Sequence, residues 1–378
     1  MRYSVVPVHR HVYVHVPFCA RRCSYCDFSI AVRREVPVDE YLSALGAELS
    51  TRFGDGPPEP VDTIYFGGGT PSRLGGDGLA RALALVERHF PRADGAEITA
   101  EANPEDVSPE AAESWRAAGI NRLSLGSQSF DDRALTWMHR THDSAAISRA
   151  VRTARDGGID NLSLDLIFAL PESLGRDFPD DVRRLLELAP DHVSLYGLTV
   201  EPGTPLARWV ARGVTVEQPE EGYEADFLAA HRLLADAGFE HYEVSNYARP
   251  GREARHNSAY WSGVPYVGVG PAAHAFDGDV RRWNERGYSA WRDTVLAGKD
   301  PLAGSERLTA DNRIAESVYL GLRSRIGLPS DASDAPVVAP WIDAGWMTRG
   351  SDGRLRCTPE GWLRLDALAA ALTHHRSR

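Results

Sequence analysis

Three cysteines near the start of the chain are the residues best suited to bind a metal. Cys19, Cys23 and Cys26 are spaced C-x3-C-x2-C on one short segment. Thiolates are soft ligands that suit iron–sulfur clusters or zinc. A structural zinc site requires four protein ligands. Cys357 lies far along the chain, so His15 would have to be the fourth ligand. Unmetallated core cysteines are a further alternative. Three thiolates favour a [4Fe–4S] cluster with one iron open to a small molecule.

Polar residues follow several apolar runs downstream of these cysteines. The run 61–66 leads into Gly67-Gly68-Gly69-Thr70, where glycines let the backbone approach a ligand closely. Glu101, Asn103, Gln128 and Asp165 stand at or after the ends of the next runs. Ligands of parallel β/α sheets bind beyond the carboxyl ends of the strands. The pattern therefore predicts a ligand site there, although a single buried carboxylate could also be structural.

The elements that must position these residues alternate between strand and helix. The apolar runs are His11–Phe18, Val61–Phe66, Ala96–Ala100, Asn121–Leu125, Asn161–Ala169 and His192–Leu198. Helical patterns lie near 38–53, 76–90, 108–118, 143–157 and 176–189, with Ser108-Pro109 as a helix start and Gly119 as a stop. Six such repeats need a parallel sheet. The sequence predicts an α/β fold, a partial (β/α)6 TIM-like barrel; a doubly wound open sheet is the alternative.

The pattern changes after residue 206. A helix near 219–237 leads into Tyr242–Tyr247 and an aromatic, glycine-rich region at 255–285. Helices at 309–323, 337–344 and 359–372 and a hairpin at 347–357 then predict a small winged-helix-like domain. We expect three units: a barrel over 1–240, a connecting region over 241–305 and a C-terminal domain over 306–378.

Composition limits the class of partner. A net charge of −11 and a pI near 5.6 argue against a nucleic-acid partner, which usually needs a basic surface. No stretch approaches the roughly 18 apolar residues that span a bilayer, and Met1–Val16 lacks a secretory h-region. Four cysteines, three of them clustered within eight positions, argue against a disulfide framework. We expect a cytoplasmic protein without stable membrane insertion.

The cysteine spacing after a first strand resembles the signature of the radical S-adenosylmethionine (SAM) enzymes. This resemblance implies that the open iron chelates the amino and carboxylate groups of SAM. One electron from the cluster then cleaves the sulfonium to a 5′-deoxyadenosyl radical. Tyr25, just before the last cysteine, would pack near the adenine, and Gly67–Pro71 is similar to the glycine motif that holds the amino group.

A narrower resemblance covers nearly the whole chain. Residues 13–19, 66–72, 127–130, 161–167 and 201–206 are similar to the oxygen-independent coproporphyrinogen III oxidase superfamily. The resemblance implies SAM contacts at Tyr13, Tyr25, Gly68, Gly69, Thr70, Glu101, Gln128, Arg140 and Asp165. Arg140 would neutralise either Glu101 or the SAM carboxylate; otherwise it is a solvent-facing charge.

Two branches of that superfamily differ after the third cysteine. The oxidase branch carries a fourth cysteine in a C-x-C pair and an N-terminal extension, whereas this chain has Asp27-Phe28 and only 18 residues before Cys19. Both differences favour the haem chaperone branch, HemW, as does His256-Asn257-Ser258-Ala259-Tyr260-Trp261, an HNxxYW motif. The later segment 266–274 departs from the usual family form at Pro271-Ala272.

Haem needs a flat apolar surface, aromatic walls and an axial ligand. His256, Tyr260 and Trp261 are the predicted haem residues, with Tyr266, His274 and Trp283 nearby in sequence; alternatively, this region only packs against the barrel. The resemblance implies a chaperone that binds haem and delivers it to client haemoproteins, respiratory proteins being one candidate class. It also implies an electron donor for the cluster. Coproporphyrinogen III oxidation is the alternative function, and a radical enzyme with another substrate is a third.

Overall fold

The structure is a computed structural model that describes residues 10–54 and 59–378. The expectation about an N-terminal secretory segment falls largely on residues 1–9, outside the described part. Within that part the strands are β1 (His11–Val16), β2 (Phe18–Cys19), β3 (Ala31–Val32), β4 (Val61–Gly68), β5 (Arg92–Ala102), β6 (Arg122–Gln128), β7 (Asn161–Phe168), β8 (His192–Gly197), β9 (Glu240–Glu243), β10 (Asn246–Ala248), β11 (Val267–Val269), β12 (His274–Phe276), β13 (Val280–Asn284), β14 (Leu302–Arg307), β15 (Leu328–Pro329), β16 (Met347–Arg349) and β17 (Arg354–Cys357).

The helices of the described residues alternate with these strands. They are α1 (Val38–Phe53), α2 (Gly75–His89), α3 (Pro109–Ala118), α4 (Asp132–Trp137), α5 (Ser144–Asp156), α6 (Phe178–Glu187), α7 (Pro205–Ala211), α8 (Glu220–Asp236), α9 (Arg255–Trp261), α10 (Tyr288–Leu296), α11 (Ala310–Arg323), α12 (Ala335–Asp343), α13 (Pro359–Trp362) and α14 (Leu365–Arg376). The predicted helix signals act as expected in α3. Ser108 Oγ accepts the Ala111 N–H, and Gly119 ends the helix at φ 110°.

The main sheet confirms the partial barrel. Its order is β11-β1-β4-β5-β6-β7-β8-β10-β9, and the six strands from β1 to β8 in this order are parallel. They follow one another in chain order, whereas a doubly wound sheet reverses direction at a switch point. The doubly wound alternative is therefore wrong. Apolar residues of the outer face, such as Ile64, Leu123 and Leu164, are fully buried in the main hydrophobic core.

The inner face of the sheet is polar. Register places Tyr13, Tyr65, Thr99 and Arg122 in one row across four strands. A second row joins Glu101, Ser124, Ser163 and His192. Because side chains alternate between the two faces of a strand, these rows face away from the apolar core. The six strands thus line an interior able to hold a polar ligand.

The region predicted as a connection joins the same sheet. β11 pairs in parallel with β1, and β10 pairs antiparallel with β8 at the other side. The predicted boundary at 240/241 falls inside β9. β12, β13 and β14 form a separate antiparallel sheet, and α10 packs on α1.

The C-terminal part has its own small sheet. β15, β17 and β16 pair antiparallel, with the predicted hairpin joining β16 and β17. α11 and α14 pack on each other beside this sheet. These elements match the predicted helices and hairpin, while the winged-helix-like description stays a prediction. None of the described helices is long and apolar enough to cross a membrane.

Four histidines are held in their neutral form by their surroundings: His15, His192 and His256, which are buried, and His241, which is partly buried. Burial lowers the pKa of each, to about 4 for His15 and about 3 for His256. The unfolded chain therefore takes up these protons at a higher pH than the folded one. Each histidine contributes stability that is present above about pH 6.5 and is lost as the pH falls toward its folded pKa.

We expect acid to destabilise the wild type more steeply than His256→Gln. Glutamine takes up no proton. The difference in free energy of unfolding between the wild type and His256→Gln should therefore fall by about 1.4 kcal/mol for each pH unit as the pH is lowered from about 6.5 to about 4. Urea unfolding across this range measures the difference. His374→Gln, at an exposed position, is the control and should follow the wild-type profile. Parallel profiles for the wild type and His256→Gln would contradict the buried neutral assignment.

Candidate functional site

The cysteine loop lies beside the ends of the first parallel strands. Cys19 ends β2, and its Sγ is 3.3 Å from Thr70 Oγ1, which follows β4. Cys23 Sγ accepts a hydrogen bond from Arg140 Nη1 at 3.5 Å. Cys19, Cys23 and Cys26 are all partly exposed and line one cavity of about 530 Å³. The three predicted metal ligands are therefore brought to one ligand-sized space.

Most of the predicted SAM residues line the same cavity. They are Tyr25, Gly68, Gly69, Thr70, Glu101, Gln128, Arg140 and Asp165. Tyr13 does not line it: its ring stacks on Tyr65 at 6.1 Å and borders two neighbouring cavities. The structure thus groups eight of the nine residues with the cysteines and places Tyr13 behind them.

The glycine run is tightly enclosed at two positions. Gly68 has φ 110°, and a Cβ there would lie 2.4 Å from the His15 ring. A Cβ on Gly69 would lie 2.6 Å from the Pro17 backbone. Only glycine fits these approaches without displacing β1 or the start of the cysteine loop. The run therefore holds the cysteine loop against the cavity wall.

Glu101 is fixed by two donors. Tyr65 Oη donates to its Oε1 at 2.8 Å, and the Gly68 N–H donates to its Oε2 at 3.1 Å. Burial raises the pKa of Glu101 to about 7. Burial also raises the pKa of Asp165, to about 6, although Ser124 donates to it at 3.1 Å. A cationic ligand group in the cavity would favour the ionised form of both carboxyls.

Arg140 does not contact Glu101, so that half of its prediction is wrong. Its Nη2 donates to Asn103 Oδ1 at 2.6 Å and to the Gly126 carbonyl at 2.8 Å. Its Nε is buried and has no hydrogen-bond partner among the described residues. The guanidinium therefore lines the cavity beside Cys23 with unused donor capacity, which suits a ligand carboxylate. A solvent-facing role is excluded by this burial.

Gln128 marks a strained position at the end of β6. Its φ is 66°, a left-handed conformation that costs a non-glycine residue about 1–3 kcal/mol. The preceding β6 pairing shifts register between Leu125 and Gln128. Strain of this kind persists where surrounding structure enforces it, often at ligand sites.

The donor set fits a cluster better than a single metal ion. Among residues 10–54 and 59–378, no three His, Cys, Asp or Glu side chains converge closely enough to hold one ion. A cuboidal cluster instead offers a separate iron to each thiolate. His15 is not a free fourth zinc ligand, because its ring nitrogens hydrogen-bond Tyr13 Oη and the Ser29 carbonyl. Cys357 lies in β17 of the C-terminal sheet.

Comparison with known proteins agrees with this geometry. Residues 13–185 match the family described as the radical SAM superfamily. A protein of Mycobacterium tuberculosis described as "Heme chaperone HemW" is 41% identical over 321 residues, which cover 84% of this chain and 82% of that protein. A Synechocystis protein of the same description is 37% identical over 84% of this chain and 78% of its own length. The chain belongs to the HemW family of radical SAM proteins.

A solved structure shares the fold of this HemW family member over nearly its whole length. Coproporphyrinogen III oxidase (HemN) of Escherichia coli superposes with a TM-score of 0.80, at 24% identity, over 98% of this chain and 91% of its own. At that identity the likeness concerns the fold alone. Radical SAM proteins bind a [4Fe–4S] cluster and SAM, and the three thiolates, the glycine run and the unused Arg140 donor fit these cofactors.

The HNxxYW motif of this HemW member forms α9, a helix that sequence reasoning did not predict. His256 is fully buried, and both its ring nitrogens are engaged, with Thr63 Oγ1 at 2.7 Å and Tyr260 Oη at 2.8 Å. An axial bond to haem would first have to break one of these hydrogen bonds. Tyr260 and Trp261 line a cavity of about 370 Å³ beside Tyr13. The haem role of His256 stays a prediction, and the geometry does not favour it as ligand.

The sequence did not reveal the role of two residues that support the site, Tyr65 and Asn103. Tyr65 holds Glu101 and stacks on His256 at 5.1 Å, so it links the SAM cavity to α9. Asn103 was noticed as a polar strand end, but not as the partner of Arg140. In the sequence, Tyr65 looks like any aromatic residue of a strand. Its place in the site follows only from the register of β4 against β1 and β5.

Proposed function

We propose that this protein is a haem chaperone, which binds haem beside a [4Fe–4S] cluster and SAM and delivers the haem to client haemoproteins. The 41% identity to a protein described as "Heme chaperone HemW", over 84% of this chain, carries the proposal. The cysteine loop supports the same proposal, because Asp27-Phe28 occupies the place where the oxidase branch has its additional cysteine. Cytoplasmic location is part of the proposal.

Cys19, Cys23 and Cys26 would hold the cluster, leaving the fourth iron to SAM. The cluster, when bound, supplies one-electron chemistry at that iron. Burial raises the pKa of the Cys19 thiol and, to about 11, that of Cys26. Cluster binding must therefore displace protons from the loop. The SAM contacts would be Tyr25, Gly68, Gly69, Thr70, Glu101, Gln128, Arg140 and Asp165, with Tyr13 supporting them from behind.

An acidic protein or other anionic donor would suit the surface around the cluster loop. Arg21, Arg22, Arg33 and Arg34 are exposed around it. Arg22 and Arg33 donate to the backbone oxygens of Cys26 and Val32, and none of the four has an ion-pair partner among the described residues. In a chain of net charge −11, this local basic surface would attract an acidic electron donor.

Haem transfer is the test of the proposed function. The cluster-loaded chain is given one equivalent of haem and mixed with an apo-haemoprotein, and the acceptor spectrum is followed. We expect haem to leave this chain and the acceptor to gain its holo spectrum faster than from a non-specific carrier such as serum albumin. Failure of the wild-type chain to bind haem, or transfer no faster than from the carrier, would overturn the proposal.

A further inference from the structure

Two cavities beside the SAM cavity meet at two histidines, His15 and His274. A cavity of about 370 Å³ and one of about 610 Å³ share Tyr13, His15, Ala272 and His274 as wall residues. Each volume lies within the roughly 300–1,000 Å³ of typical cofactor pockets. The larger also touches Gly68 and Glu101, which line the SAM cavity as well. A ligand here would share a wall with SAM.

The walls of these two cavities have the character that a porphyrin needs. The smaller is bordered by five aromatic side chains: Tyr13, Tyr260, Trp261, Tyr266 and Phe276. The larger is bordered by Phe28, which is 62% exposed, and by Trp283. Single exposed apolar side chains are common, but Phe28 stands at the edge of the cavity, where a bound ligand can cover it. A flat apolar ring would bury it.

His274 is the histidine placed to bind iron there. Both ring nitrogens of His15 are hydrogen-bonded, as are those of His256. The ring of His274, by contrast, is exposed and makes no hydrogen bond with the described residues. It lies nearly parallel to Trp283, with ring centroids 5.9 Å apart and planes at 25°. A neutral imidazole of this kind is a common haem ligand.

The loop that leads into His274, the first residue of β12, is fixed by hydrogen bonds and close backbone contacts. Glu48 accepts the Gly270 N–H at 2.8 Å, and Asn284 Nδ2 donates to the Gly270 carbonyl at 2.9 Å. A Cβ on Gly268 would lie 1.9 Å from the His274 carbonyl oxygen. Ala272 adopts φ 59°, a strained conformation that the loop enforces. A side chain that ligates a metal binds it best when the backbone on either side is fixed in this way.

A positive charge completes the site. Arg286 borders the larger cavity and donates to the Asp27 carbonyl at 3.0 Å, but it forms no ion pair within the described chain. Its guanidinium suits a carboxylate, and haem carries two propionates. Arg281, at the smaller cavity, is already paired with Glu316.

We propose that haem binds where the two cavities meet, with His274 as its axial ligand and Arg286 as the partner of a propionate. This inference rests on the proposed function, since it names the residues that hold the haem. The HNxxYW residues Tyr260 and Trp261 then act as walls, and His256 anchors α9 to β4 through Thr63.

Haem titration of the cluster-loaded full-length chain tests this assignment, with difference spectra taken against the same protein without haem. We expect His274→Ala to weaken ferric haem binding at least about tenfold to hundredfold. Loss of a residue that only hydrogen-bonds a metal ligand already costs that much affinity, and loss of the ligand itself should cost no less. His274→Cys should replace the histidine-type Soret spectrum by a thiolate-type one. His374→Ala, which removes an exposed histidine of α14, is the control and should bind as wild type.

The iron-free ring separates ligation from general packing. Protoporphyrin IX should bind the wild type and His274→Ala equally, because it lacks the metal. Wild-type haem spectra and affinity in both His274 variants, or equal loss of protoporphyrin and haem in His274→Ala, would overturn the axial assignment while leaving the proposed function standing. No haem binding by the wild type would overturn both.

Discussion

Replacing Cys23 by serine should abolish the cluster. The hydroxyl of serine is a poor substitute for a thiolate on iron, and two remaining cysteines cannot hold a cluster that already lacks a fourth protein ligand. Anaerobic reconstitution followed by iron and sulfide analysis should find the variant nearly empty. Arg140, which donates to Cys23 Sγ, would remain in place, so the fold should persist in circular dichroism.

Cys357→Ser is the matched control for that experiment. Cys357 is buried in β17 and pairs with Met347 across the C-terminal hairpin, apart from the cysteine loop. The control should bind as much iron as the wild type. Full iron loading of Cys23→Ser, or loss of iron in Cys357→Ser, would contradict the assignment of the three-cysteine loop.

Removing the Glu48 carboxylate should strongly destabilise the fold. Glu48 is fully buried in α1 and accepts four hydrogen bonds, from Arg52, Gly270, Asn284 and Trp291, at 2.5–2.8 Å. Glu48→Ala leaves the buried Arg52 guanidinium without its ion-pair partner. Breaking a buried pair from one side costs about 3–5 kcal/mol.

Chemical denaturation measures the Glu48 effect as a fall in the free energy of unfolding. Glu113→Ala is the control, because Glu113 is exposed on α3 and such changes stay within about 0.5 kcal/mol. A loss in Glu48→Ala no larger than in the control would show that the network is not structural. Because Glu48 also fixes Gly270, the variant should loosen the loop that leads into His274.

The sequence predicted the barrel well, because each strand–helix unit is defined by local patterns. The predicted helix 38–53 coincides with α1, and the strand at 161–169 ends one residue from the end of β7. Such elements carry their own periodicity and caps. The cysteine loop and glycine run were equally visible, because their chemistry depends on residues adjacent in the chain.

The features that the sequence did not predict depend on contacts between segments that are distant in the chain. β11 joins β1 across some 250 residues, and no local signal announces it. The short helix α9 was not predicted, because His256, Tyr260 and Trp261 were interpreted as aromatic haem-binding residues and not as part of a helix. Whether a histidine is free or engaged depends on its partners: Thr63 occupies one ring nitrogen of His256, while His274 remains open.

The measurement that most directly tests haem handling against porphyrin synthesis is an anaerobic assay of the cluster-loaded chain with coproporphyrinogen III, SAM and a reductant. The haem titration is run beside it on the same preparation. Haem bound at about one equivalent per chain, with no protoporphyrinogen IX formed, is the predicted result for a specific pocket. Steady conversion of coproporphyrinogen III to protoporphyrinogen IX would contradict the assignment of this protein as a haem chaperone.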